Sequence, residues 1–394
     1  MHRISCRLLF CLAAAFGVAA GASANELQVR IGYLAHLPPR GPLLSNVIPE
    51  PSDAGRRGAE LAIIDNNSTG RFLKQQFELQ SAESDQADEL LAAAERQHQA
   101  GIRLFVVNAP AATLRQLSQR LPDSLLFNAG SADDGLRREQ CLGNVLHTLP
   151  SRAMLTDALA QFLAVRKWTR WLLVTGNTED DIAYADALKR AAKRFGHKIV
   201  AEKPWSFDND QRRSAQAEMP LFTQASEYDV VLVADERGDF GEYLPYNTWY
   251  PRPVAGTQGL TPTAWHKTVE TFGAAQLQKR FEELAGRWMN DRDFAAWMAV
   301  RSLATAITKQ RTAEPLGIRH LLLNEQLPLD GFKGRKLSFR PWNGELRQPI
   351  PLVHPRALVS TSPQDGFLHP SNEMDSLGYD RPEVSCDLAG MPHG

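Results

Sequence analysis

The chain is expected to be an α/β protein of two doubly wound parallel-sheet lobes, on three observations. Strand-length apolar runs alternate with amphipathic helical segments along most of the 394 residues. The runs Leu104-Phe105-Val106-Val107 and Val230-Val231-Leu232-Val233 are continuously apolar, as strands covered on both faces are. The alternation comes as two series, the second starting at Ser151, so right-handed crossovers would close two sheets rather than one.

In the first series, residues 29–34 form a strand, followed by a Pro/Gly-rich loop over 38–51. Ser52 and Asp53 are N-cap types for a helix over 54–66, which Gly70 closes. Residues 77–80, 104–107, 125–128 and 145–148 follow as strands, with helices over 87–99 and 111–121 between them. The second series gives helices over 155–165, 178–195 and 210–222, and strands over 171–174, 198–202 and 229–233. Gly196 stands where a helix C-cap needs it. Helices over 275–289, 294–310 and 316–324 come next. Strands over 337–339 and 350–354 then flank Pro341-Trp342-Asn343-Gly344, whose Asn-Gly pair predicts a hairpin. From 361 to 394 there is no periodicity, and an irregular tail on the surface is expected.

The net charge of -1 excludes the basic excess of most nucleic-acid binders. Arg3 and Arg7 precede an apolar run over 8–20, and Ala22-Ser23-Ala24 fits a small-x-small cleavage site. A secretory leader cleaved after Ala24 and a periplasmic product follow. The leader takes Cys6 and Cys11, leaving Cys141 and Cys386. In an oxidising compartment these are expected to form a bridge that ties the tail to the body; two separate thiols is the alternative.

Motifs that carry chemistry are missing. There is no Gly-x-Gly-x-x-Gly after a strand, no phosphate loop, no Gly-x-Ser-x-Gly elbow and no His-Glu-x-x-His. His36, His147 and His266 fall near strand ends, where core or surface roles compete with catalysis. No cofactor, metal or catalytic residue is indicated, and binding is favoured over turnover.

Four stretches carry a likeness to known proteins. They are the first strand with Asp53-Ala54-Gly55-Arg56-Arg57-Gly58-Ala59-Glu60-Leu61, the Phe127-Asn128-Ala129-Gly130-Ser131 strand end running to His147-Thr148-Leu149-Pro150-Ser151, the unit over 171–196, and the helix beginning Phe294-Ala295-Ala296-Trp297. Their order resembles type I periplasmic binding proteins of the branched-chain amino acid ABC transporter group. Asp65 to Leu73 and the tail further resemble a subgroup associated with PQQ-dependent alcohol oxidation.

The resemblance implies two lobes joined by a three-strand hinge. Lobe 1 would span 25–148 plus 259–325, lobe 2 149–258 plus 326–360, with the tail over 361–394. It implies a monomer that presents a small ligand to an ABC permease. The same fold also suits a periplasmic metabolite sensor or a holder of a cofactor or partner without transport. The implied lobe 1 site residues are Asn108, Ala109, Ala111, Gly130 and Ser131. Amino-acid binders set a lobe 2 carboxylate against the α-ammonium, but the matching position here is Gln258. A neutral amide cannot balance a buried ammonium, so standard branched-chain amino acids are not expected. Asp180, Asp235, Glu236 and Arg237 are the remaining lobe 2 candidates, with Arg237 able to grip a carboxylate. The aromatic stretch from Phe240 to Tyr250, with Trp265, could stack on a flat ligand.

Overall fold

The computed structural model describes residues 26–39, 49–205, 218–324 and 327–390. The leader and most of the helix expected over 210–222 lie outside them. The first sheet is parallel throughout, in the order β2-β1-β3-β4-β5, built from β1 (Leu27–His36), β2 (Gln75–Ser84), β3 (Leu104–Asn108), β4 (Leu125–Asn128) and β5 (Val145–His147). Helices α1 (Arg56–Leu73), α2 (Ala87–Gln99), α3 (Ala111–Arg120) and α4 (Gly135–Arg138) connect them. Every residue of β3 and β4 is buried, which is why neither alternates.

The second sheet is also parallel, in the order β7-β6-β8-β9, from β6 (Arg170–Thr175), β7 (Lys198–Pro204), β8 (Val230–Ala234) and β9 (Val254–Gly256). Helices α5 (Arg152–Val165) and α6 (Glu179–Phe195) pack together against it. Helices α7 (Ala274–Ala285), α8 (Asp291–Gln310) and α9 (Pro315–Leu323) return to the first lobe. There α8 crosses α1 so closely that a Cβ on Gly58 would stand 1.9 Å from the Asp293 carbonyl oxygen.

Three connections join the lobes: His147 to Ser151, Leu260 to Thr263, and Gln348 to Pro351. They are cross-tied. The Gln348 amide donates to the Thr148 carbonyl (3.0 Å), and the Thr263 N–H donates to the Pro351 carbonyl (3.0 Å). Beneath them lies Lys333, whose Nζ donates to Gln348 Oε1 (2.6 Å) and the Pro349 carbonyl (3.1 Å) and stands 4.6 Å from the Phe294 ring centre.

The structure departs from the sequence expectations in four places. First, α1 has no side-chain cap; Gly55 precedes it at φ 84°, and Asp53 instead pairs with Arg57 and Arg287. Second, α1 runs through Gly70 to Leu73, because the missing Cβ lets the Gln75 carbonyl pack against Gly70. Third, the Asn-Gly turn does join a hairpin, but β12 (Lys336–Phe339), which also pairs with β11 (Leu329–Asp330), pairs with β13 (Leu346–Arg347). The segment β14 (Ile350–His354) pairs with β10 (Thr261–Pro262) and β15 (Ala357–Ser362) instead. Leu329, Leu337, Phe339 and Leu346 accordingly pack into the first core, and Ile350 and Leu352 into the second. Residues 327–347 thus sit with lobe 1 rather than lobe 2.

Fourth, the tail is not a surface appendage. Met374, Leu377, Tyr379, Val384, Cys386 and Leu388 are buried. Asp375 is held by Arg347 Nε (2.7 Å) and Nη2 (3.0 Å) and by Arg340 Nε (2.9 Å). Burial opposes ionisation of this carboxyl, but the two guanidiniums outweigh it and hold it below the usual range. Cys141 and Cys386 form a disulfide with Cα atoms 6.0 Å apart.

Candidate functional site

Two strand-end loops of the second sheet converge on the Arg152 side chain, and the Arg152 N–H donates to the Ala132 carbonyl of the loop after β4 in the first sheet (3.0 Å). The chain leaves lobe 1 at the tip of β5 and enters α5, where Ser151 caps the helix by accepting from the Met154 N–H (3.1 Å). Arg152, the first helical residue, points its guanidinium at the loops that follow β6 and β8. It grips Glu236 with two bonds of 2.7 Å and donates to Asp180 at 2.6 Å. Burial works against its charge, but the hydrogen bonds and charges of these carboxylates outweigh it. Burial raises the Glu236 carboxyl, with Arg152 pulling it back.

The two loops are stapled together from below. Thr178 and Asp181 make a reciprocal cap on α6, and Asp181 Oδ1 also accepts the Glu236 N–H (2.7 Å). Gly176 is required here, since a Cβ would lie 2.2 Å from Asp181 Oδ2.

Asp235 is occupied differently. Its carboxylate accepts the N–H groups of Gly238, Asp239, Phe240 and Gly241 at 2.6–3.0 Å, folding the loop after β8 around itself. The Gln258 amide donates to the Asp235 carbonyl (3.0 Å), and its oxygen accepts from Thr257 Oγ1 (2.5 Å). Both are thus turned into the loop framework. Arg237 stands apart, 3.5 Å from Asp239. Of the aromatic stretch, Phe240 stacks on Trp205, Tyr250 meets Tyr228 edge-on, and Trp265 is buried against Phe294. These rings serve the cores; Tyr246 and Trp249 are exposed.

In lobe 1, Asn108 donates to the Tyr33 hydroxyl (3.3 Å) and the Ala54 carbonyl (3.0 Å). Ala109 is buried, whereas Ala111 opens α3 half-exposed, with no side chain capping the helix. Gly130 packs against Asn108 and the backbone of Ala109 so tightly that a Cβ would not fit. The N–H groups of Gly130 and Ser131 both donate to Asn128 Oδ1 (3.2 and 2.9 Å). His147 is buried beside Asn128, 3.0 Å away, and burial and Arg137 hold its pKa well below the ordinary value. His36 and His266 bond to Thr113 and Thr268.

The structure therefore brings Asp180 and Glu236 together, joins Asp235 to Gln258 and sets Asn108 beside Gly130. Arg152, the residue on which two of these loops meet, was not among the expected ones. Next to it a cavity of about 990 Å³ lies between Asp133 to Arg138 of lobe 1, the flank of α6, and Tyr379 and Glu383 of the tail. Asp134 lines it and accepts the Ala153 N–H across the lobe boundary (2.9 Å). Burial pushes the Asp134 carboxyl up to about 7. Among the described residues no cluster of three His, Cys, Asp or Glu offers a metal site, and no helix is long and apolar enough to cross a membrane.

Residues 42–243 match the family model described as periplasmic binding protein. The chain belongs to the periplasmic binding protein family. Solved structures of the same fold include a branched-chain amino acid ABC transporter periplasmic ligand-binding protein from Burkholderia xenovorans. It is 15% identical, covers 89% of this chain and 97% of its own, and has a TM-score of 0.70. A leucine-, isoleucine-, valine-, threonine- and alanine-binding protein from Brucella ovis in closed conformation is 12% identical over 83% and 89% of the two chains, TM-score 0.67. The branched-chain amino acid transporter substrate-binding protein of Streptococcus pneumoniae, solved with isoleucine, is 14% identical over 85% and 99%, TM-score 0.64. No curated protein matches the chain in sequence. As a periplasmic binding protein it is a solute binder and not an enzyme, and membership of the family implies the periplasm.

Proposed function

We infer that this periplasmic binding protein captures a small polar or aromatic solute between its lobes and presents it, as a monomer freed of its leader after Ala24, to an ABC permease. The observation that carries this is the meeting of strand-tip loops at Arg152, between two parallel-sheet lobes joined by three strands. Closure of such lobes over a ligand is what a transporter reads.

The site residues argue against a standard branched-chain amino acid. Gln258 supplies no charge and both ends of its amide are occupied. The N–H groups of Gly130 and Ser131, which would meet a carboxylate, already serve Asn128. What remains for a ligand is the uncapped start of α3 at Ala111 and the largely exposed Asp180 beside Glu236 and Arg152. Together these accept a solute with a hydrogen-bonding oxygen at one end and a donor at the other. The likeness of residues 65–73 and the tail to proteins linked with PQQ-dependent alcohol oxidation supports a metabolite of that chemistry. Thermal-shift screening of the mature protein against amino acids, aromatic acids, alcohols and PQQ tests this. A ligand at 100 times its Kd adds about 2.7 kcal/mol. A shift with leucine or isoleucine alone overturns the ligand class, and no shift with any compound overturns the receptor reading.

A further inference from the structure

We propose that the cavity between Asp133 to Arg138, the flank of α6 and the tail is a second ligand site, apart from the cleft, and that it takes an organic acid. The cavity is not an extension of the strand tips. It follows α6 from Ala183 to Arg194, and none of Asn108, Ala111, Gly130, Asp235 or Gln258 lines it. Arg194 lies fourteen residues beyond Asp180, about 21 Å along the helix axis. Arg152 stands where the two spaces meet, but its guanidinium is already held by Glu236 and Asp180.

What the walls leave unused is donor capacity. Every lining acid has a partner. Glu383 is held by Arg190, Arg194 and the Asp380 N–H, and Asp186 by Lys189 (3.5 Å). Asp133 accepts the Leu136 N–H (3.0 Å) and Asp134 the Ala153 N–H (2.9 Å). Burial pushes the Asp134 carboxyl up to about 7, so below that pH it borders the cavity without a charge. Two donors are free. Among the described residues neither the Lys193 amine nor the Tyr379 hydroxyl meets a partner, and both residues line the cavity. Tyr379 is only 7% exposed, and a hydroxyl so buried calls for an acceptor. Its ring is fixed in advance: Trp342 Nε1 donates to its carbonyl (3.3 Å), and the Arg190 guanidinium lies 4.3 Å from the ring centre. Burial, with Asp134 adding to it, raises the Tyr379 pKa, so the hydroxyl keeps its proton and offers it to an anion. Arg138 approaches the same ring at 5.7 Å and meets Glu139 at 3.7 Å.

One free ammonium and one free hydroxyl match a carboxylate. The rest of the wall supplies Ala183, Ala187, Pro382 and the face of Tyr379, which suit an apolar body, and about 990 Å³ holds one of drug size. The shared features are therefore a carboxylate and an apolar or aromatic skeleton.

Calorimetric titration of the mature full-length protein tests this with benzoate, phenylacetate and 2-naphthoate, each beside its uncharged amide, and with inorganic phosphate as an anion without a body. At least one acid should bind, about tenfold tighter than its amide and tighter than phosphate. Tyr379→Phe keeps the ring and loses only the hydroxyl, and should weaken that acid by about threefold to tenfold. Lys193→Gln, on the exposed side of α6, should weaken it by about threefold. The proposal stands apart from the cleft reading, and Asp180→Asn separates the two. An acid whose affinity falls with Asp180→Asn and not with Tyr379→Phe sits in the cleft and overturns the second site. So does the absence of binding by all three acids. Phosphate binding as tightly as the best acid overturns the organic class.

Discussion

Lys333→Met tests how the ground beneath the hinge is built. The Lys333 amine is buried; among the described residues it meets Gln348 Oε1, the Pro349 carbonyl and the Phe294 ring, and Asp291 is the charge that acts on it. Desolvation lowers its pKa from 10.5 to about 7, with Asp291 a small opposing influence. The unfolded chain therefore binds a proton that the folded chain gives up between about pH 7 and 10.5, and stability must rise with pH across that window. Integrating the linkage relation gives a penalty of roughly 4 kcal/mol at pH 7 that shrinks to roughly 2 kcal/mol at pH 9. Methionine carries no proton but leaves two acceptors without a donor, a pH-independent cost of about 1–3 kcal/mol each. The absolute effect of the substitution is thus a balance of similar numbers, while its pH slope is not. Urea unfolding at several values between pH 7 and 9 should show the parent gaining about 2 kcal/mol on the methionine variant as pH rises. A difference that stays flat, or falls, refutes the buried-amine argument.

Other substitutions probe the remaining contacts. Cys386→Ser releases a loop of 245 residues and should lower stability by about 5 kcal/mol on the chain-entropy model, read as a fall in the denaturation midpoint. Gly58→Ala drives a methyl into the Asp293 carbonyl and should cost about 1–3 kcal/mol through separation of α1 from α8, seen in the same assay. Arg152→Ala strips Glu236 of its paired cation and should destabilise by about 1–3 kcal/mol; adding Glu236→Gln should recover part of that loss, and no recovery would mean that the pair is not coupled.

Much of the fold was legible because buried parallel strands announce themselves. The segments β3, β4 and β8 are wholly buried, so their composition has no polar alternation to blur it. Thr178 with Asp181 marks the start of α6 just as locally. What escaped was decided by tertiary contact. Gly70 reads as a stop, yet continues a helix because a carbonyl needs its bare Cα. The Asn-Gly turn is visible, but whether 346–347 or 350–354 completes the hairpin depends on β10 arriving from ninety residues upstream. The tail has no period because its buried residues insert singly between two lobes, and its Asp375 meets Arg340, just past β12, and Arg347 of β13 rather than neighbours in sequence.

The site was legible by loop and illegible by residue. Loops after strand ends could be placed, yet Asp235 and Gln258 turned out to fold those loops rather than to present charge. Arg152 did leave a signal. It is the first residue of α5, after the Ser151 cap, in a turn with no acidic residue. A cation there opposes the helix dipole and costs a few tenths of a kcal/mol or more. Such a local violation is tolerated when something distant compensates, and here Glu236 and Asp180 do so from two other loops. An arginine in the wrong turn of a helix that begins at a lobe crossing therefore points to acids converging from elsewhere, which in a two-lobed α/β chain means the strand tips and the space between them.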